Sequence, residues 1–316
     1  MALGVDGVRV GTWTAPGGVS GCTVVLPPPG TVGAIAVRGA APGTREAAAL
    51  GPAGKVTVCS GIVLAGGSAF GLAAADGAMR WLEERGIGHA LGAGVVVPIV
   101  GAAIVLDEAV LVPAARPGPE AGYAACDAAV DADPSEGGVG AGAGCTVAKV
   151  AGLAHAWRSG QGVAVRRAAG VSVGALVVNN AVGEVLAEDG TWLARARVAD
   201  DVVRWPVNGR ALGTGEAGDE VGPSTNTVIG CIVTDARLTK AEAHRVADLG
   251  HSGLARTLRP AHTDADGDAL FCLATGARDA TVDLVAALAA DAVADAVRRG
   301  PLTASGRGDL PGLADR

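Results

Sequence analysis

The residues with the clearest capacity for chemistry lie in Pro223-Ser224-Thr225-Asn226-Thr227-Val228-Ile229-Gly230-Cys231-Ile232-Val233-Thr234. A small polar loop runs directly into an apolar, β-branched run, which predicts a buried strand beginning at Thr227. A hydroxyl at the mouth of such a strand is held rigidly and can still be reached. Scission of the Asn226–Thr227 bond would give Thr227 a free α-amine beside its own hydroxyl. An α-amine titrates at about pH 8, roughly two units below lysine. It can therefore accept a proton at neutral pH and activate the hydroxyl as a nucleophile. From pattern alone, the plainer reading of Asn-Thr, a turn entering a strand, outweighs the chemical one.

Other motifs compete less well. Gly170-Val171-Ser172-Val173-Gly174 has the Gly-x-Ser-x-Gly form, but a nucleophile elbow needs a strand before the serine and a helix after it. Here an apolar strand follows Ser172, and Arg166-Arg167-Ala168-Ala169 precedes it. Asp264, Asp266 and Asp268 resemble the start of a calcium loop. No distal Glu completes it, and Leu270-Phe271-Cys272 follows directly. Gly66-Gly67-Ser68 forms a strand-to-helix turn that could face an anion, but it lacks the lysine of a P-loop and the third glycine of a dinucleotide fingerprint. His89, His155, His244, His251 and His262 show no metal-ligand spacing, and each reads as a surface or satisfied core histidine. No metal and no cofactor are expected.

The chain has 316 residues with a net charge of −7. No basic run or aromatic-basic interleaving argues for nucleic acid. Hydrophobic residues make up 49% and mean hydropathy is +0.38, yet the apolar content is spread evenly. The longest apolar stretch, Ala90 to Leu106, is interrupted by Gly92, Gly94, Pro98 and Gly101, so no membrane span is predicted. The first residues lack the basic end and apolar core of a signal peptide, and a soluble, cytoplasmic protein is expected. Cys22, Cys59, Cys126, Cys145, Cys231 and Cys272 are scattered and mostly apolar in context, so free buried thiols are expected. Only three lysines occur. Lys149 lies in a nearly uncharged segment.

The elements that must position Thr227 are predicted as follows. Strands fall at 19–27, 32–38, 61–65, 103–107, 171–178, from Thr227 onward, and at 269–274. Ser68 is placed as N-cap of a helix running to about Glu84, and a polar helix falls near Glu120–Asp131. Thr239-Lys240-Ala241-Glu242 has the form of a capping box and opens a helix to about Leu258. The last helix spans roughly Thr281 to Arg298, with Gly300-Pro301 ending it and a loose tail beyond. Gly137 to Lys149 is glycine-rich enough for backbone amides to crowd a ligand or another chain. Residues 200–222 read as a flexible linker. Paired strands separated by helices imply an α/β or α+β layered domain.

The chain resembles the P1 family peptidases, a self-cleaving group that takes in L-aminopeptidase/D-esterases, β-aminopeptidases and nylon-oligomer hydrolases. The resemblance runs from about residue 5 to residue 276. It is carried by Gly7-Val8-Arg9-Val10-Gly11, Gly21-Cys22-Thr23-Val24-Val25, Arg38-Gly39-Ala40-Ala41-Pro42-Gly43-Thr44-Arg45-Glu46 and Gly66-Gly67-Ser68-Ala69-Phe70-Gly71-Leu72-Ala73, then by Asn180-Ala181-Val182-Gly183, Asn226-Thr227 and Asp266-Gly267-Asp268. It implies an α/β fold, a four-layer α-β-β-α sandwich like that of the N-terminal nucleophile hydrolases, in a single domain. It also implies cleavage at Asn226–Thr227 into an α chain, 1–226, and a β chain, 227–316. Thr227 would be the nucleophile and Asn180 an oxyanion donor. Lys149 would sit beside the nucleophile, and Asp266 and Asp268 would orient the nucleophile and the substrate amine.

The implied activity releases N-terminal residues from small peptides, amino-acid amides or esters, in a homo-oligomer, most simply a tetramer of αβ units. The chain departs from the pattern at Leu106, where relatives tend to carry Tyr or Phe, at Gly11-Thr12 in place of Gly-His, and at Cys145 and Cys231. Two alternatives stand beside this reading: an acyltransferase resembling ornithine acetyltransferase, and a member that has lost activity.

Overall fold

The computed structural model describes residues 1–199 and 226–316. Ten of its strands carry the architecture: β1 (Arg9–Thr14), β2 (Gly21–Leu26), β3 (Val32–Val37), β4 (Thr44–Arg45), β5 (Gly61–Ala65), β6 (Val100–Ile104), β7 (Gln161–Ala168), β8 (Val171–Asn180), β9 (Thr227–Ala236) and β10 (Ala269–Arg278). Among the described residues they form two five-stranded sheets, in the orders β1-β2-β5-β6-β4 and β7-β8-β9-β10-β3. Helices α1 (Ala74–Glu83) and α2 (Pro119–Asp127) cover the first sheet. Helices α3 (Lys240–Thr257) and α4 (Val282–Leu302) cover the second. The order of layers is helix, sheet, sheet, helix, and this is the α-β-β-α sandwich.

The side-chain period of two builds these layers. Along β9, Val228 and Ile232 pack toward α3 and α4, beside Val246, Leu254 and Val293. Ile229, Cys231 and Val233 point the other way and meet Ile62, Leu64 and Ala103 of the first sheet. A strand buried on both faces reads as one continuous apolar run, which is why the sequence after Thr227 shows no alternation. Each fully buried aliphatic or aromatic side chain of this kind stabilises the fold by roughly 1.5–3 kcal/mol.

The ends of several elements differ from the sequence expectation, each because a partner distant in the chain intervenes. Ser68 does not cap a helix. It has φ 57° and begins a 3-10 turn, Ser68–Ala73, ahead of α1. Its amide is already committed to the Val105 carbonyl, and that of Gly67 to Asp107 Oδ1. The strand expected at 103–107 is Val100–Ile104, because Asp107 draws the following residues away onto Ser20 and Gly67. Helix α2 stops at Asp127, and Val130 pairs with Val10 instead. The capping box at Thr239 and Glu242 is formed in both directions.

Pro301 lies inside α4 and does not end it. A proline leaves the carbonyl four residues earlier without its helical donor. Here that carbonyl, of Val297, accepts from Asn179 Nδ2 at 3.0 Å. The tail is packed as well: Ala304 is buried, and the Pro311 carbonyl accepts from the Arg158 amide at 2.9 Å. The glycine-rich stretch crowds its own chain, with the amides of Gly140 and Ala141 donating to Thr14 and Thr23. The residues before Ser172 are themselves a strand, β7, and Ser172 is the second residue of β8, at the end opposite Asn180. The expected linker at 200–222 lies outside the described residues. All six cysteines are buried and free. No helix of the described residues is long and apolar enough to cross a membrane.

Candidate active site

Topology brings the site together. Strand β8 runs antiparallel to β9, with Asn180 directly opposite Thr227. Strand β10 runs parallel to β9, with Ala269 opposite Ile229. The last residue of β8, the first of β9 and the Asp266-Gly267-Asp268 turn before β10 therefore share one edge of the second sheet. Lys149 arrives from a separate segment. Ala148 has φ 58°, and the amides of Ala148 and Lys149 donate to the carbonyls of Gly183 and Val182, just beyond Asn180.

The Thr227 hydroxyl donates to the carbonyl oxygen of Asn226, the carbonyl of the bond that precedes it. The Gly267 amide donates to Thr227 Oγ1 at 3.3 Å, a contact that would strengthen if the oxygen lost its proton. Thr227 is 4% exposed. The turn that supplies this donor is clamped from behind: Arg38 and Gly39 amides donate to the Asp268 carbonyl, and the Ala41 amide to that of Asp266. Gly39 is required there, since a Cβ would lie 2.2 Å from the Asp268 nitrogen.

Asn180 and Lys149 are interlocked. Lys149 Nζ donates to the Asn180 carbonyl at 2.9 Å and to its Oδ1 at 3.1 Å, and the Thr146 amide adds a bond to Oδ1 at 3.0 Å. These donors fix which end of the amide is oxygen. The nitrogen end donates to the Leu106 carbonyl at 2.9 Å. Lys149 is 8% exposed. Burial brings its pKa down to about 7, against smaller opposing effects of Cys145 and Asp266.

The two aspartates face different partners. Asp266 Oδ2 accepts from the Thr263 amide and hydroxyl, both at 2.7 Å. Burial, and then the charge of Asp268, push its carboxyl above the usual carboxylate range. Asp268 Oδ1 accepts from the amide of Val228 at 2.7 Å, the residue next to the nucleophile. Its Oδ2 accepts from the amide of His262 at 3.2 Å and from His262 Nδ1 at 2.7 Å.

All five residues singled out around Asn226 thus gather at one sheet edge. Sequence reasoning missed Asp107 and His262. Asp107 is buried, and its carboxylate accepts from Ser20 Oγ at 2.8 Å and from the Gly67 amide at 2.9 Å. It thereby sets the Leu106 carbonyl on which Asn180 rests. A carboxylate directly after an apolar strand was the available signal. His262 carried none, because its partner Asp268 reaches it only through the turn.

The Peptidase family S58 model matches residues 3–307. The chain is a member of peptidase family S58. An uncharacterized aminopeptidase of Mycobacterium tuberculosis is 42% identical over 340 aligned positions, covering 98% of this chain and 96% of the relative. A 6-aminohexanoate-oligomer endohydrolase of Paenarthrobacter ureafaciens is 33% identical over 274 positions, 85% of this chain and 73% of that one. Among solved structures, a β-aminopeptidase of Burkholderia sp. superposes with a TM-score of 0.71 at 22% identity, covering 98% of this chain and 89% of that chain. The L-aminopeptidase D-Ala-esterase/amidase of Ochrobactrum anthropi, described as a variant of the Ntn hydrolase fold, gives 0.70 at 20% identity, covering 97% and 87%. These likenesses agree with the four-layer sandwich. As an S58 peptidase the chain is a hydrolase of peptide or amide bonds.

Proposed function

We propose that this S58 member is a self-processing N-terminal-threonine aminopeptidase or amidohydrolase, acting on the N-terminal residue of small peptides, amino-acid amides or esters. The register that sets Asn180 opposite Thr227, with Lys149 Nζ on the Asn180 carbonyl at 2.9 Å, carries this reading. In the first reaction Thr227 Oγ1 attacks the Asn226 carbonyl carbon. The amide nitrogen leaves with a proton, and an ester joins Asn226 to the side chain of Thr227. Water hydrolyses the ester and releases Thr227 with a free α-amine. No such amine exists before cleavage, so another base must take the hydroxyl proton. A lysine whose pKa lies at about 7 can serve, because a large share of it is neutral at neutral pH.

In the second reaction the Thr227 α-amine is the base and Oγ1 attacks the substrate carbonyl. The side-chain amide of Asn180 donates to the developing oxyanion, a role suited to a fixed neutral donor. The leaving amine takes the proton, and water frees the acyl group. The Gly267 amide supports the Thr227 oxygen in both reactions. Leu106 offers no phenol, but its carbonyl anchors Asn180, and that duty is independent of the side chain.

Intact mass and Edman sequencing of the purified protein test the reading. The expected products are a 226-residue and a 90-residue chain, since 316 − 226 = 90, the second beginning Thr-Val-Ile-Gly. Thr227→Ala should remain one chain and be inactive, whereas Thr227→Ser should still process. An active enzyme whose only N-terminus is Met1 or Ala2 would sink the proposal.

A further inference from the structure

His262 lies outside every motif, yet its placement is specific. It adopts φ 57°, a left-handed backbone that a non-glycine residue keeps only when its surroundings impose it. In that conformation its amide and its Nδ1 converge on the same oxygen, Asp268 Oδ2, at 3.2 and 2.7 Å. The other oxygen of Asp268 holds the Val228 amide at 2.7 Å. Three donors therefore fix a carboxylate that is 1% exposed, and one of them belongs to the residue following Thr227.

The imidazole is fixed in turn. His251 meets it edge-on, with ring centroids 5.0 Å apart, and is itself tied through Nε2 to the Ala36 carbonyl at 3.2 Å. Burial brings the pKa of His251 down to about 4, so at neutral pH it is an uncharged wall. Nε2 of His262 and Nδ1 of His251 are buried and have no hydrogen-bond partner among the described residues. The imidazole thus has one directional bond, and that bond goes to Asp268. A side chain serving only as filler would not need it, and an orphaned buried nitrogen costs stability.

We propose that His262 is a positioning residue: it holds Asp268, and through Asp268 the Val228 amide and the Thr227 hydroxyl, in the arrangement that reacts. The inference rests on the self-processing reading above and adds a residue to it. Without the imidazole, Asp268 Oδ2 keeps a single backbone donor and the carboxylate can rotate away from Val228. The nucleophile then loses its alignment with the carbonyl it attacks, in the precursor and in the mature site alike.

The test compares wild type, His262→Ala and His262→Asn. Processing is followed by intact mass, kcat and KM by hydrolysis of an amino-acid amide, and the imidazole N–H by proton NMR. His262→Ala should slow processing and lower kcat about 10–100-fold, the scale on which loss of a supporting hydrogen-bond partner usually registers, with KM little changed. His262→Asn can donate from near the Nδ1 position and should recover most of the rate. Wild type should show a far-downfield imidazole proton that disappears in Asp268→Asn. Wild-type rates in His262→Ala would overturn the proposal. So would equal losses in Ala and Asn with equally lowered melting temperatures, since that is the pattern of packing alone. Absence of the downfield proton in wild type would also overturn it. A wild-type protein that neither processes nor hydrolyses removes the reaction itself, and is recognised before any substitution is made.

Discussion

On the proposed self-processing reading, Thr227 and Asn226 supply the hydroxyl and the bond, and the neighbours decide whether they react. Asn180 is the neighbour whose loss is easiest to read. It is fully buried, and its oxygen end is held by two donors, so its nitrogen end has a fixed direction. Asn180→Ala should leave the fold in place and lower turnover by about 10²–10³-fold, the usual cost of removing an oxyanion donor. Full activity in steady-state assays would take Asn180 out of the mechanism.

Lys149 gives a prediction with a sign in pH. Its folded pKa is depressed from 10.5 to about 7 by burial. If its neutral form is the base for self-cleavage, the processing rate should climb with pH through about 7 and level off above. A flat profile from about pH 6 to about pH 9, measured by quenched mass spectrometry, would reject that role. Stability follows the same shift. Between about 7 and 10.5 the unfolded chain holds a proton that the folded lysine has lost, so stability rises with pH across that window, and the penalty is fully present below it. In the unprocessed Thr227→Ala background, urea midpoints should therefore rise with pH relative to the same protein carrying Lys149→Met.

Among the elements, the pairing of β8 with α4 has a clear energetic cost attached. Asn179 sits next to Asn180 but points to the opposite face, as strand geometry requires. It donates to the Val297 carbonyl that Pro301 leaves open. Asn179→Ala should destabilise the protein by about 1–3 kcal/mol by leaving that carbonyl buried and unsatisfied. Adding Pro301→Ala should recover part of the loss, because an alanine amide can restore the helical bond. Denaturant titrations of both variants check this, and no recovery would mean that the carbonyl is not the cause.

For the assembled protein, the composition is low in charge and rich in glycine, with 18% charged residues and 50 glycines in 316. Exposed apolar patches mark surfaces that pack against other chains. The hairpin of His89–Gly92 and Val95–Val97 exposes Leu91 and Val95. A homo-oligomer, most simply a tetramer of αβ units, is the expected outcome of light scattering. A monomeric mass at micromolar concentration would count against it. A panel of L-, D- and β-aminoacyl amides then defines which side chain the site accepts.

The sequence by itself determined the local features whose causes are local. The β-branched run after Thr227, the capping box at Thr239 and Glu242, and the apolar strands expected at 32–38 and 269–274 were legible because propensity, period and capping act within a few residues. The ordered motifs from Gly7 to Asp268 also carried the family, and pointed to Asn180, Lys149, Asp266 and Asp268 as candidates. Tertiary structure alone decided what depends on distant partners. Ser68 has the local pattern of a cap, and nothing near it in the chain announces that Asp107 and Val105 claim the donors of that turn. Pro301 was read as a stop because the side chain that satisfies Val297 comes from a strand more than a hundred residues earlier. His262 shows nothing in the sequence to set it apart, because the Asp268 carboxylate it holds is oriented by Val228, forty residues away across the sheet. A hydrogen bond between residues far apart in the chain leaves no periodic trace in the sequence, so these contacts emerge only when the strands are laid side by side.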